Sequence, residues 1–426
     1  MLKIIGIEEV PSSNRDPVDA ETLAGAAKII SAVRAEGDIA LHRFSENFGD
    51  LKAGENLIIS AEACKAAFDG LPAEDQALLE RTAERIRRFA TAQRRSMSPM
   101  QIEIPGGHAG HDISPMDVAG CYAPGGRFPL PSSVLMTVVT AKAAGVVKVV
   151  VASPKPTAMT LAAAHVAGAD LFLAAGGAQA IAAMAYGTAS VPACDVIVGP
   201  GNRWVTAAKQ LVSGRVAIDM LAGPSELVVF ADDGADATTI AADLLAQAEH
   251  DTDAVPILVT TSPRLIDAVN LELATQLEEL PTKATAREAL KNGYAVAVQT
   301  ILHGIEACNR IAPEHLEVMV QDAGKVSRQV RHYGGLFIGA HAAEVLGDYG
   351  MGPNHVLPTG GTARYTGGLS VATFLRIRTW MRVDHLEAAQ DVVADAVALA
   401  RHEGLEGHAR SAQRRLLQPE RDDIGE

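Results

Sequence analysis

A chain of 426 residues, 48% hydrophobic and 21% charged, has the make-up of a soluble globular protein with core enough for two or three domains. Its 37 basic and 51 acidic residues leave a net charge of −14, which argues against a nucleic-acid partner or an anionic membrane surface. Cys64, Cys121, Cys194 and Cys308 show no CxxC spacing, so neither a disulfide framework nor a thiolate zinc site is expected.

The opening MLKIIGIEEVPSS lacks the basic flank and long apolar run of a signal peptide. Later apolar stretches are broken by His165, Asp170 and Gln179, too early for a membrane span. The expected location is the cytoplasm. Apolar periodicity predicts a helix from Asp19 to about Glu36, then a polar segment, then a heavily charged helical stretch from Ala61 to about Gln93. That stretch ends in RIRRFATAQRR, which reads as a solvated helix face. IEIPGGHAGHDISP (102–115) reads as loop or hairpin, and its His108 and His111 as solvent-facing.

From Val118 short apolar runs alternate with helical segments: VAGCY, KVVVAS, LFLAA, DVIVG, then LVVFA, PILVT, YAVAVQ, LEVMV and GLFIG. Such alternation predicts parallel sheets covered on both faces. Gly168 is placed to stop one helix. GDYGMGPNHVLPTGG (347–361) holds too much Gly and Pro for regular structure and reads as a long functional loop. From about Asp384 the chain turns helical again and forms a C-terminal appendage.

Three glycine turns follow strand ends: CYAPGG (121–126), AGGAQA (175–180) and GPGN (199–202). Glycine lets backbone approach a phosphate, and a helix N-terminus offers free N–H groups. The full GxGxxG is absent, so an ordinary dinucleotide fingerprint is not present; Asp219 stands near the spacing of a ribose-binding carboxylate, which one acid matches easily by coincidence. On the helix after LVVFA, Gln247 and His250 share one face at i and i+3. Either they are a polar helix end, with His favoured by the helix dipole, or they belong to a site. Glu314 and His315 stand side by side behind Pro313, either a surface pair or a carboxylate and imidazole for general-base work. Asp348 and His355 lie in the long loop, and Glu403 and His408 in EGLEGH. Gln247, His250, Asp348 and His408 together make an oxygen and nitrogen set suited to zinc or a similar divalent ion. They span more than 160 residues, and spacing alone does not bring them together.

YAPGG, GGAQAIAAMAYGT, VGPGNRWVTAAKQ, AIDMLAGPSE, DLLAQAEHD, APEHLEV, GDYGMGPNHVLPT and EGLEGH stand in the order found in histidinol dehydrogenases, which the chain resembles over about residues 20–415. The resemblance implies an enzyme that uses Zn2+, one per subunit, and NAD to oxidise L-histidinol to L-histidine in two steps through the aldehyde. It implies Gln247, His250, Asp348 and His408 as metal ligands, Glu314 as the group that activates water and His315 as general base. Tyr122, Gln179 and Asn202 match the NAD positions. Ser225, Gln247, His250, His315, Asp348, Glu403 and His408 match substrate contacts, and His355 lies in the loop that lines the pocket. Glu249, Cys121 and Cys194 match no role.

The implied fold is α/β, with two incomplete Rossmann-like domains resembling aldehyde dehydrogenases. Its expected divisions are an N-terminal segment 1–20, a metal and substrate domain 21–120 with 229–375, an NAD domain 121–228, and a C-terminal helical domain 376–426. The family is a homodimer with shared active sites, so His408 would complete the partner's metal site. Met351, Pro353 and the run Thr366 to Ser370 (TGGLS) depart from the family pattern. TGGLS resembles a sister branch that oxidises sulfopropanediol, which makes such a small alcohol the alternative substrate; the Ser225-Glu226 pair, where that branch has Thr-Asp, favours histidinol.

Overall fold

A computed structural model describes residues 1–10, 17–52, 54–125 and 129–417. Gly126 of the first glycine turn and residues 418–426 of the expected C-terminal domain lie outside the described residues. The alternating runs form two six-stranded sheets. One has the order Lys3–Ile5, Tyr294–Ala297, Val255–Thr260, Glu226–Ala231, His315–Met319, Gly335–Ile338, every adjacent pair parallel. The other has the order Ile58–Ile59, Leu171–Leu173, Lys148–Ala152, Val118–Tyr122, Val196–Val198, Ala217–Ile218, parallel except for its first pair. Within each, five strands run third, second, first, fourth, fifth, the half-Rossmann order whose reversal opens a crevice beside the first strand.

The strands are apolar because both faces are covered. In Leu227 to Ala231 every residue is fully buried. Leu227, Val229 and Ala231 pack with Ile240, Leu244 and Ala248, while Val228 and Phe230 pack with Ile305, Cys308 and Ile311 on the opposite face. The helix Ala158–Ala167 ends as expected, at Gly168 in the left-handed region.

Several elements differ from the sequence expectation. The polar segment after Glu36 is a helix, Asp38–Asn47, with Ala40 and Leu41 fully buried; few of its ten residues face the core, so its apolar period is faint. The charged stretch is two helices, Ala61–Asp69 and Ala73–Arg95, separated at Gly70, Leu71 and Pro72, where proline offers no N–H to a continuing ladder.

The expected domain division also differs from the packing. Helix Ala20–Glu36 buries Ala26, Ile30 and Val33 in the core of the 118–218 sheet, and Ile58–Ile59 pairs with that sheet. Residues 95–115 with 375–417 form a second compact unit. In it Met100–Ile104 and Gly107–Pro115 make the expected hairpin, and Leu375–Val383 pairs antiparallel with the latter strand. The appendage is therefore a sheet followed by helices Gln390–His402 and Glu406–Gln413. Among the described residues no helix is long and apolar enough to cross a membrane.

Candidate active site

The polar groups of the second half gather at the amino ends of its strands. Ser225 and Glu226 open one central strand, and Glu314 and His315 open its neighbour, in register at Leu227 and His315. Ala312 ends the preceding helix in the left-handed region at φ 52, and Pro313 then steers the chain into the strand. Helix Ala237–His250 runs back across the sheet, so its last turn delivers Gln247 and His250 to the same end. Helix Glu344–Asp348 carries Asp348 at its last position, inside the stretch expected to be loop, and the loop after it supplies His355. Arg85, first residue of the basic cluster read as solvated, holds this loop by donating from Nε to the Gly350 carbonyl at 2.8 Å.

Ser225 Oγ donates to Glu314 Oε2 at 2.5 Å, and the Glu226 N–H donates to the same oxygen at 3.1 Å. Burial pushes Glu314 well above the usual carboxylate range against those two hydrogen bonds. The His315 ring is buried, and neither nitrogen has a hydrogen-bond partner. Its Nδ1 lies 3.7 Å from Glu314 Oε2 and 3.5 Å from Glu344 Oε1, and its Nε2 lies 3.8 Å from Asp348 Oδ1. Burial, assisted by nearby His250, pushes the imidazole down to about 3, so it is neutral near pH 7. His355 bridges the two halves: Nδ1 donates to the Asp348 carbonyl at 2.9 Å, and Nε2 faces Ser133 Oγ at 3.2 Å. Burial lowers it to about 4.

These residues also fit a cation. His250 Nε2 stands 3.8 Å from Asp348 Oδ2, and one donor atom each from His250, Glu344 and Asp348 lies within 4.8 Å of the others. Gln247 has no exposed surface, yet neither its amide oxygen nor its nitrogen has a partner. An unpaired buried polar atom costs about 1–3 kcal/mol, so this amide is kept for something it can ligate. The donors are nitrogen and oxygen throughout, a set suited to zinc. Burial pushes Asp348 up to about 6, with His250 pulling the other way.

The first half presents its own crevice at the carboxyl ends of Val118–Tyr122 and Val196–Val198, where the strand order reverses. Tyr122 ends one strand, and its hydroxyl accepts from the Gly177 N–H at 3.3 Å. Gln179 lies on the same helix start, its Nε2 donating to Asp50 Oδ2 at 3.0 Å. Asp50 also accepts from the Gly176 N–H at 2.9 Å. Asn202 caps the next helix, accepting from the Trp204 and Val205 N–H groups. Gly199 is required here: φ is 113°, and a Cβ would lie 2.0 Å from the Tyr122 carbonyl oxygen. Asp219 is no ribose ligand. It is ion-paired to the fully buried Lys209 and accepts from the Gly199 N–H at 2.7 Å, so it pins the turn from behind.

Glu403 and His408 belong to the second unit, where Glu403 caps helix Gln390–His402 and His408 lies in helix Glu406–Gln413, both exposed. Glu249 accepts from Thr282 Oγ1 at 2.5 Å, in keeping with a structural role. Burial raises Cys121 to about 12 and Cys194 further, so neither thiol is a nucleophile near neutral pH. Sequence reasoning missed Asp50, Asp243, Glu317 and Glu344. Its one available signal was an acid inside an apolar run, as at Glu317 in HLEVM.

Fold and site thus define a class: a two-sheet α/β protein with a nucleotide-type crevice in one half and a buried imidazole–carboxylate site able to take a divalent cation in the other. Known proteins make the class specific. The histidinol dehydrogenase family model matches residues 13–416. The histidinol dehydrogenase of Thermus thermophilus is 45% identical over 397 residues, 93% of this chain and 94% of that protein. That of Pseudomonas syringae pv. syringae is 43% identical over 399 residues, 92% and 89% of the two chains. The crystal structure of histidinol dehydrogenase from Elizabethkingia anophelis superposes with a TM-score of 0.90 at 31% identity, covering 97% of this chain and 98% of that one. The chain belongs to the histidinol dehydrogenase family.

Proposed function

We propose that this chain oxidises L-histidinol to L-histidine in two successive NAD-dependent steps through L-histidinal, the last steps of histidine biosynthesis, in the cytoplasm. One observation carries the reading. His315 is a buried, neutral imidazole with both nitrogens unpartnered between Glu314 and Asp348, in a chain matching histidinol dehydrogenases along almost its whole length.

Gln247, His250, Asp348 and His408 would hold one Zn2+ per subunit, whose contribution when bound is to gather the substrate's imidazole and amine and fix the carbinol carbon. Tyr122, Gln179 and Asn202 would hold NAD, the hydride acceptor when bound. Ser225, His315, Asp348 and Glu403 would contact substrate beside the ligands Gln247, His250 and His408. In the first oxidation His315 takes the hydroxyl proton as hydride leaves the carbinol carbon. Glu314, oriented by Ser225, then takes a proton from the water that adds to the aldehyde. Once His315 has given up its first proton to solvent, it would accept the hydroxyl proton of the hydrate as the second hydride leaves that carbon, a second NAD being the acceptor when bound. Fixing the reacting carbon in this way is worth on the order of 7–11 kcal/mol, and the general base about 10²–10⁴-fold.

A homodimer with shared sites fits the second unit. Met100, Ile102, Ile377, Met381 and Val383 occupy one face of its sheet by strand register and are exposed in the single chain. An apolar face of this kind asks for cover, and Glu403 and His408 would then complete the other subunit's site. Zinc-loaded protein should form two NADH for each L-histidine made from L-histidinol. Reduction of NAD with sulfopropanediol but not with L-histidinol overturns the substrate assignment.

A further inference from the structure

Behind the groups of the proposed reaction lies a second tier of buried acids that the reaction does not use. Each sits one turn or one pleat behind a front residue: Asp243 four before Gln247, Glu317 two after His315, and Glu344 four before Asp348. All three are buried, and Asp243 Oδ2, Glu317 Oε2 and Glu344 Oε2 have no hydrogen-bond partner. They are linked to one another. Asp243 and Glu317 are close enough for each carboxyl to shift the other's pKa, and Glu317 Oε1 accepts from the Glu344 backbone N–H at 2.6 Å. Glu344 Oε1 then comes to 3.5 Å from His315 Nδ1. Buried acids are costly to keep, and three in one line need a reason.

A neutral imidazole carries its proton on one nitrogen and offers the lone pair of the other, and the partner on one side decides which. His315 Nε2 points to Asp348, and Nδ1 points to two carboxyls. Of these, Glu314 Oε2 lies farther away and is already occupied by Ser225 Oγ and the Glu226 N–H. Glu344 is nearer, its Oε1 at 3.5 Å from Nδ1, and its Oε2 has no hydrogen-bond partner. We propose that Glu344 is the positioning residue of His315: its carboxyl oxygen accepts the Nδ1–H, fixing the tautomer in which Nε2 is the base and turning that nitrogen toward Asp348 and the substrate. Glu317 holds the start of the short helix that carries Glu344 by accepting its backbone N–H. The arrangement needs an acceptor, not a charge, since a carboxyl in either ionisation state keeps an oxygen free to accept. The inference rests on the proposed role of His315.

The competing assignment makes Glu344 a cation ligand with His250 and Asp348, and metal content separates the two. Glu344→Leu, similar in size with no acceptor, should lower kcat with L-histidinol by about tenfold or more, with KM within about twofold and zinc stoichiometry unchanged. Glu344→Gln keeps an acceptor and should recover kcat to within about threefold of the parent protein. Loss of zinc in either variant, an unchanged kcat in the leucine variant, or a glutamine variant as slow as the leucine one overturns the proposal. ¹⁵N NMR of histidine-labelled protein, with His315 assigned through His315→Gln, reads the tautomer without turnover. Nδ1–H in the parent and in Glu344→Gln but not in Glu344→Leu supports the proposal; the same tautomer in all three overturns it. If the parent protein leaves L-histidinol untouched, the reaction assignment fails while the NMR result still decides the positioning role.

Discussion

Glu317→Gln tests the buried acids independently of any substrate. Glu317 is fully buried, one oxygen accepting the Glu344 N–H and the other unpartnered. Burial, and then the neighbouring Asp243, pushes its carboxyl from 4.5 up to about 8. Between those values the folded chain keeps a proton that the unfolded chain releases, so stability falls as pH rises. The contribution is intact below about pH 4.5 and lost progressively toward pH 8. At about 1.4 kcal/mol per unit the window is worth about 5 kcal/mol, a figure that belongs to the Asp243–Glu317 pair because each carboxyl shifts the other. Glutamine carries no titrating proton and still accepts from Glu344. In urea unfolding at fixed zinc, the variant should match the parent protein at pH 5 to within about 1 kcal/mol and exceed it by several kcal/mol at pH 8.5. A stability difference that is the same at both pH values refutes the reasoning, because it would mean that Glu317 does not hold a raised pKa.

Other substitutions probe the rest of the site and its frame. His315→Ala should cut turnover by about 10²–10⁴-fold while zinc content stays near that of the parent protein; loss of metal would make His315 a ligand instead of a base. Gln247→Ala should reduce bound zinc after dialysis, measured by atomic absorption, while the far-ultraviolet circular dichroism is retained. Asp219→Asn leaves the buried Lys209 ammonium uncompensated and should cost about 3–5 kcal/mol in chemical denaturation. Gly304→Ala sets a Cβ 2.2 Å from the Phe230 ring; despite alanine's better helix propensity it should destabilise by about 1–3 kcal/mol, and a more stable variant would contradict the packing described.

What the sequence determined by itself is local or motif-borne. Leu227 to Ala231 is readable as a strand because burial on both faces demands an unbroken apolar run, and Gly168 as a helix stop because only glycine enters the left-handed region freely. The order of long motifs gives the family and marks Gln247, His250, Glu314, His315 and Asp348 as candidates for its site. Tertiary structure decided what depends on strands distant in sequence lying side by side. Leu375–Val383 is a strand because the distant strand Gly107–Pro115 of the hairpin pairs with it. Asp219, spaced like a ribose ligand, is spent on Lys209. Asp243 and Glu344 look like ordinary surface acids in a linear chain, and although Glu317 stands inside the apolar run HLEVM, nothing in the spacing of the three says which faces point inward together. The strand order placing 226–231 beside 315–319, with a helix returning across them, turns those acids into one buried line ending at His315.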